Sequence, residues 1–98
     1  MDTVNQLILD CMARVLRINQ TTDAEISFQF HHTSAFECNG WKNGYANAAL
    51  EQDVETPEYD FDPLEEVISL KFDDAETALK NLLASLDALE KELENNEN

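Results

Sequence analysis

The spacing of hydrophobic residues changes twice along this chain, and this limits the folds that it can adopt. Apolar residues recur every three or four positions in residues 4–18 and again in residues 79–93, whereas residues 26–38 alternate between polar and apolar. The outer patterns are typical of amphipathic helices and the middle one of half-buried strands. The sequence therefore predicts a helix, then strands, then a second helix, with an exit loop over residues 19–23 after the first helix.

Three strands are predicted between the helices. The alternating residues 25–30 and 34–39 are separated by a short polar turn, which favours an antiparallel hairpin, and residues 67–72 form a third strand. A three-stranded antiparallel sheet has one apolar face that two helices can cover. The predicted fold class is thus α+β, a two-layer helix-strand-strand-strand-helix sandwich that forms one domain over residues 1–98. The predicted core is Leu7, Ile8, Cys11, Val15, Ile26, Phe28, Phe30, Phe36, Ile68, Leu70, Phe72, Leu79, Leu82, Leu83 and Leu86.

The negative charge is concentrated in one half of the chain. The net charge is −15, from 21 acidic and 6 basic residues, and sixteen of the acids lie in residues 51–98. Binding to the phosphates of nucleic acid or to an anionic membrane surface needs cations that this chain lacks. We therefore expect no direct nucleic-acid binding and no membrane binding. No apolar run is long enough for a membrane span and the start lacks a secretory signal, so a cytoplasmic location is expected.

Residues 42–66 are predicted to form a long acidic loop. Residues 51–66 hold eight acids, both prolines and no base, and residues 46–50 fit either a helical turn or a loop. Long loops in compact domains are commonly functional. Aromatic residues are interspersed with the acids, and interfaces favour Trp and Tyr. The predicted partner-binding residues are Trp41, Tyr45, Glu55, Glu58, Tyr59, Asp60, Phe61 and Asp62. The alternative interpretation is a loop that a few aromatic side chains pin to the domain.

The leucines of the last helix extend beyond the length that a short sheet is expected to cover. Leu89 and Leu93 are therefore candidates for contact with a second copy of the protein, as a homodimer, or with another chain. After them, residues 95–98 are predicted to be a frayed tail.

The sequence offers no catalytic constellation. It lacks a nucleophile elbow and a glycine-rich phosphate loop, and Cys11 and Cys38 follow patterns of core residues. His31 and His32 are neighbours in or beside a strand, so their side chains are expected to point to opposite faces rather than to bind one metal ion with Glu37 or Cys38. Residues 58–66 lack the glycine and ligand spacing of a calcium loop. We expect no catalysis, no metal and no cofactor.

Several stretches resemble small accessory proteins of phages and prophages of Gram-positive bacteria. The resemblance is carried by residues 26–32 (ISFQFHH), 36–38 (FEC), the Gly40-Trp41 step and the acidic helix start at residues 73–76 (DDAE). It implies a phage accessory protein with a two-layer fold containing helices and strands, acting in the host cytoplasm. The segment 45–62 is longer than is expected for that group.

Two functions are consistent with these features. The first is a protein-binding module that recognises a basic protein through the acidic half. The second is an inhibitor that mimics nucleic acid and occupies a basic groove of a DNA-binding or DNA-processing protein, which requires carboxylates at phosphate-like spacing. For the second function the last helix supplies Glu76, Asp87, Glu90 and Glu94. A mimic should be displaced by DNA, and its complex should weaken steeply with salt. Complexes that survive high salt, or that depend on Trp41 and Tyr45 rather than on the acids, would count against the mimic.

Overall fold

The computed structural model describes residues 2–31, 35–64, 67–71 and 74–96. It confirms the α+β class with a three-stranded antiparallel sheet, and adds a short helix that was not assigned from the sequence. The elements are α1 (Asp2–Thr21), β1 (Glu25–His31), β2 (Ala35–Trp41), α2 (Tyr45–Gln52), β3 (Ile68–Ser69) and α3 (Ala75–Asn96).

The strands lie in the order β1-β2-β3, so that β2 is central and β1 is an edge strand. β1 and β2 pair over their whole length without a bulge, which places Trp41 on the face opposite to Phe36. The third strand is shorter than predicted, because β3 pairs with β2 only at two positions. Phe61 forms a separate antiparallel bridge with Gly40 farther along β2. Phe72, at the end of the predicted strand, lies outside the described residues.

The two long helices run parallel to each other. Arg14 Nε lies 2.6 Å from Asp87 Oδ1, and one turn later the Arg17 guanidinium donates two hydrogen bonds to the Glu90 carboxylate, at 2.5 and 2.6 Å. α1 also contacts β1, and α3 contacts β3, so the helix pair spans the sheet. Among the described helices, none is both long enough and apolar enough to cross a membrane.

The core lies between this helix pair and the sheet, and most predicted core residues are buried or half-buried there. Phe30 differs, since its side chain is 41% exposed at the edge strand. Leu89 and Leu93 also differ from expectation. They are buried in the same core cluster as Ile18 and Phe61, so neither offers an exposed surface for a second chain.

Both long helices extend farther than predicted. α1 continues to Thr21 and therefore includes the first residues of the predicted exit loop. α3 continues to Asn96, so two of the four residues assigned to a frayed tail are helical. The additional turn of α1 places Asn19 beside β1, where its side-chain amide exchanges hydrogen bonds with Ile26: Nδ2 donates to the Ile26 carbonyl at 2.7 Å and Oδ1 accepts from the Ile26 N–H at 2.9 Å.

Candidate functional site

A short helix occupies part of the segment that was predicted to be an acidic loop. α2 follows Gly44, whose φ of 91° is readily adopted only by glycine, and ends at Asp53, whose φ of 57° is left-handed. The Asp53 N–H turns back to the carbonyl groups of Ala49 and Leu50, as in a helix C-cap. The prediction of one continuous loop over residues 42–66 was therefore wrong, and the helical interpretation of residues 46–50 was right.

Beyond α2 the chain folds back onto the end of β2. The Gly40 N–H donates to the Phe61 carbonyl at 2.9 Å, and the Phe61 N–H donates to the Gly40 carbonyl at 3.2 Å. The Phe61 side chain is buried in the core cluster. Phe61 therefore anchors the segment and does not belong to its exposed surface, which corrects its assignment as a partner-binding residue.

A side-chain clamp holds the middle of this segment. The Gln52 amide accepts a hydrogen bond from the Glu58 N–H at 2.8 Å and donates one to the Glu58 carbonyl at 2.9 Å. The same carbonyl accepts a hydrogen bond from Trp41 Nε1 at 3.1 Å. Asp60 Oδ1 accepts from the Lys42 N–H at 2.8 Å. These contacts fix residues 58–60 relative to β2.

The folded-back segment assembles three aromatic rings. Trp41 lies 4.9 Å from Tyr45 in an edge-to-face arrangement and 5.0 Å from Tyr59 in a tilted one, measured between ring centroids. Tyr45 and Tyr59 are 38% and 47% exposed, and Trp41 is half-buried. The same segment carries four exposed carboxylates: Glu55, Glu58, Asp60 and Asp62. We call these three rings and four carboxylates the acid–aromatic surface.

The structure thus brings seven of the eight predicted partner-binding residues into one region. Phe61 and the Trp41 hydrogen bond pin the segment to the domain, as in the alternative interpretation, while Tyr45 and Tyr59 stay accessible. Trp41, Tyr45, Glu58, Tyr59 and Asp62 line a shallow groove together with Thr56 and Pro57.

The acids of α3 and those of the acid–aromatic surface differ in their pairing. Four of the six bases form ion pairs with α3 carboxylates: Arg14 with Asp87, Arg17 with Glu90, Lys42 with Glu92 and Lys80 with Glu76. In the described part of the chain, no lysine or arginine side chain pairs with the six carboxylates of residues 51–62. Uncompensated carboxylates are therefore present beside the aromatic rings, whereas four α3 carboxylates are ion-paired.

The arginine contacts also affect acidity. The hydrogen bond from Arg17 lowers the pKa of Glu90 below its usual range and raises the pKa of Arg17. Three of the four α3 acids considered for nucleic-acid mimicry, Glu76, Asp87 and Glu90, are thus engaged with bases of the same molecule.

Both cysteine side chains are buried in the core. Burial raises the pKa of Cys11 to about 11 and that of Cys38 to about 12, so both thiols are protonated at neutral pH. His31 Nε2 lies 3.4 Å from Glu37 Oε2. His32 is outside the described residues. Within the ranges that the structure describes, no three potential metal ligands of the His, Cys, Asp or Glu type converge.

Two exposed apolar side chains beside the acid–aromatic surface were not identified from the sequence. Leu50, at 79% exposure, and Val54 line a second shallow groove with Ala46, Ala49 and Glu55. The sequence signal for them was the presence of apolar residues beside acidic ones. Their position on the surface depends on α2, and the apolar spacing of α2 is too weak to predict a helix.

Comparison with known proteins adds no further assignment. No protein-family model, curated protein or solved structure matches this chain.

Proposed function

We propose that this protein is a non-enzymatic binding module that recognises a basic segment of another protein through the acid–aromatic surface. The observation that carries the proposal is the contrast in charge pairing. Four of the six bases pair with α3 carboxylates, and Glu55, Glu58, Asp60 and Asp62 have no basic partner among the described side chains.

The chemistry of this surface suits lysine and arginine side chains. A cation above the face of Trp or Tyr is attracted by the ring and gains about 0.5–1 kcal/mol at an exposed site. Carboxylates around the ring add charge attraction and discriminate against acidic partners. The segment is held by the Gln52 clamp and by the Phe61 bridge. A partner therefore meets a surface that is already ordered, which lowers the entropic cost of binding.

The nucleic-acid mimic is a less favoured proposal. Three of the α3 carboxylates that it would use are ion-paired within the molecule, so that they present less negative charge to a basic groove. An origin in a phage or prophage and a cytoplasmic location are predictions from the sequence, and the binding proposal does not depend on them.

The proposal can be tested by selecting binders from a random peptide library displayed on phage. The wild-type protein serves as the target, and a Trp41→Ala/Tyr59→Ala variant serves to remove peptides that bind elsewhere. We expect the selected peptides to be enriched in Lys and Arg. Selected peptides that are neutral or acidic, or that bind the variant equally well, would count against the proposal. A mimic is indicated instead if basic DNA-binding domains bind the protein and duplex DNA displaces it.

A further inference from the structure

A second exposed apolar surface lies on α1. Leu9, Met12 and Leu16 on α1 are 58%, 40% and 57% exposed, although they belong to a helix whose opposite face is buried in the core. Asn19 identifies the side of α1 that they occupy. Residues seven and three positions before Asn19 share its helix face, and these are Met12 and Leu16. Since Asn19 contacts the backbone of Ile26, this exposed face adjoins the outer edge of β1.

The edge of β1 has unpaired backbone groups next to this stripe. Opposite residues in an antiparallel ladder alternate between pairs that exchange hydrogen bonds and pairs that do not. The Ile26–Gly40 pair is of the second kind, because Ile26 bonds to Asn19 and Gly40 bonds to Phe61. By alternation, Phe28 and Phe30 also direct their N–H and C=O groups away from β2, toward the open edge.

The stripe and the open edge have matching lengths. α1 and β1 run in opposite directions from their connection, and a helix rises about 1.5 Å per residue where a strand rises about 3.3 Å. Met12 lies about 10 Å from Asn19 along the helix, which corresponds to about three residues of β1 beyond Ile26. The apolar stripe therefore runs alongside Phe28 and Phe30, whose rings stack with centroids 5.3 Å apart.

We propose that this surface, formed by Leu9, Met12 and Leu16 of α1 and by the β1 edge at Phe28 and Phe30, joins two copies of the chain in a symmetric dimer. The two β1 strands pair antiparallel, with Phe28 opposite Phe30 of the partner copy and Gln29 at the two-fold axis. Each Phe28–Phe30 pair exchanges two backbone hydrogen bonds, so that the two sheets become one. The α1 helices then cover each other's apolar stripes.

The register follows from Asn19. Its amide occupies the backbone groups of Ile26, which restricts open pairing positions in β1 to Phe28 and Phe30. A second copy that is centred on Gln29 satisfies both positions on both chains. Pairing centred on Phe28 would place Phe30 opposite the occupied Ile26, with loss of hydrogen bonds. The self-complementary edge is the reason to identify the occupant as a copy of this chain.

Charge favours the same occupant. A chain of net charge −15 repels its own copy at most approaches. This surface is an exception, because the three stripe residues and residues 26–30 carry no charged side chain. A basic partner would gain no attraction here. The dimer should therefore become stronger as salt screens the repulsion, whereas binding of a basic segment to the acid–aromatic surface should become weaker.

The test is sedimentation velocity of the full chain over a range of concentrations at low and high salt. We expect a monomer–dimer equilibrium that shifts to the dimer with concentration and with salt. Leu16→Glu should raise the dimer Kd by about tenfold or more, because it places a charge in an apolar contact. Leu50→Glu, an identical change at an exposed leucine outside the surface, should leave the Kd unchanged.

Amide exchange provides a second readout that needs no variant. The Phe28 and Phe30 N–H groups should exchange more slowly in concentrated than in dilute protein, and the Tyr45 N–H, which bonds to Glu25, should not change. A chain that stays monomeric at all concentrations would overturn the proposal. A strand of another protein would then be the candidate to pair with the open edge of β1. A dimer that Leu16→Glu does not weaken, or that leaves the exchange of Phe28 and Phe30 unchanged, would overturn it equally.

Discussion

The thiols of Cys11 and Cys38 lie within the core, and Cys11 Sγ lies 3.7 Å from the carbonyl oxygen of Leu79. Burial disfavours a thiolate, because the charge would lose its hydration. In the folded protein the pKa is therefore about 11 for the Cys11 thiol and about 12 for the Cys38 thiol. In the unfolded chain the pKa of the same thiols is about 8.5.

This difference predicts a loss of stability at alkaline pH. Below about pH 8.5 both states keep the protons, and above it the unfolded state releases them first, which favours unfolding. Each thiol should lower the free energy of unfolding by about 1.4 kcal/mol per pH unit between about pH 9 and the folded pKa. The free energy of unfolding, measured with urea at a series of alkaline pH values, should decline more steeply with pH for the wild type than for Cys11→Ala/Cys38→Ala. Equal slopes would contradict the assigned acidity.

Gly40 is required by a close backbone approach. A Cβ atom at this position would lie 2.2 Å from the Glu25 carbonyl oxygen and 2.7 Å from the Ile26 Cα, and neither is a side-chain atom that can move aside. Gly40→Ala should therefore cost about 1–3 kcal/mol of stability or more, as expected for overpacking. Thermal unfolding measures this cost. Asn43→Ala, in the neighbouring exposed turn, should change stability by less than about 0.5 kcal/mol.

At the scale of elements, α2 and the segment after it form a unit with its own attachments. The unit is connected to β2 through the Gly40–Phe61 bridge and through hydrogen bonds to Trp41 and Lys42. The Gln52 clamp closes the unit on itself, together with the hydrogen bond that the Tyr45 hydroxyl donates to the Glu55 carbonyl at 2.5 Å. Local opening of this unit is therefore separable from unfolding of the α1–α3 core.

Gln52→Ala should open the segment without unfolding the protein. The variant loses two hydrogen bonds, each worth about 0.5–1.5 kcal/mol, at an exposed site. Amide exchange at Glu58 should become at least about tenfold faster, while the midpoint of global unfolding stays close to that of the wild type. Glu51→Ala, one residue earlier on α2, is the matched control and should leave the exchange at Glu58 unchanged. A large drop in global stability would show instead that the segment and the core unfold together.

The predictable elements are those whose periodicity runs over many residues. The spacing of apolar residues predicts α1, β1, β2 and α3. Strand alternation gives the face of β2 on which Trp41 lies. α2 has eight residues, of which only Ala48 is buried, so its pattern is too short to separate a helix from a loop. The exposed stripe at Leu9 and Leu16 was not predicted, because the spacing of apolar residues does not show how wide an arc of a helix a single layer of sheet can cover.

The candidate site was predictable in composition but not in geometry. Trp41 and the acid-rich run after Tyr45 are visible in the sequence as interface-type residues. The role of Phe61 was not visible, because its bridge to Gly40 is a contact between residues distant in sequence. The burial of Leu89 and Leu93 likewise depends on the positions of α1 and of the segment around Phe61. Local sequence patterns do not specify these positions.

At the scale of the whole molecule, the acid–aromatic surface and the uncharged surface of α1 and β1 are formed by different residues. The acid–aromatic surface carries carboxylates without a basic partner among the described side chains, whereas four α3 carboxylates are ion-paired. The exposed leucines and methionine of α1 adjoin the uncharged edge of β1. This separation allows one molecule to bind a basic segment on one surface and its own copy on another. The two contacts should respond to salt with opposite sign.

The most direct measurement is a titration of Trp41 fluorescence with a lysine- and arginine-rich peptide, since Trp41 is the single tryptophan of the chain. Two variants that each remove three charges should be compared, Glu55→Gln/Glu58→Gln/Asp62→Asn at the acid–aromatic surface and Glu76→Gln/Asp87→Asn/Glu92→Gln on α3. The peptide should change the fluorescence of the wild type and of the α3 variant with similar Kd. The variant of the acid–aromatic surface should bind about tenfold more weakly, a loss of about 1.4 kcal/mol. Equal weakening by both variants, or no response of Trp41, would show that net charge rather than this surface attracts the peptide.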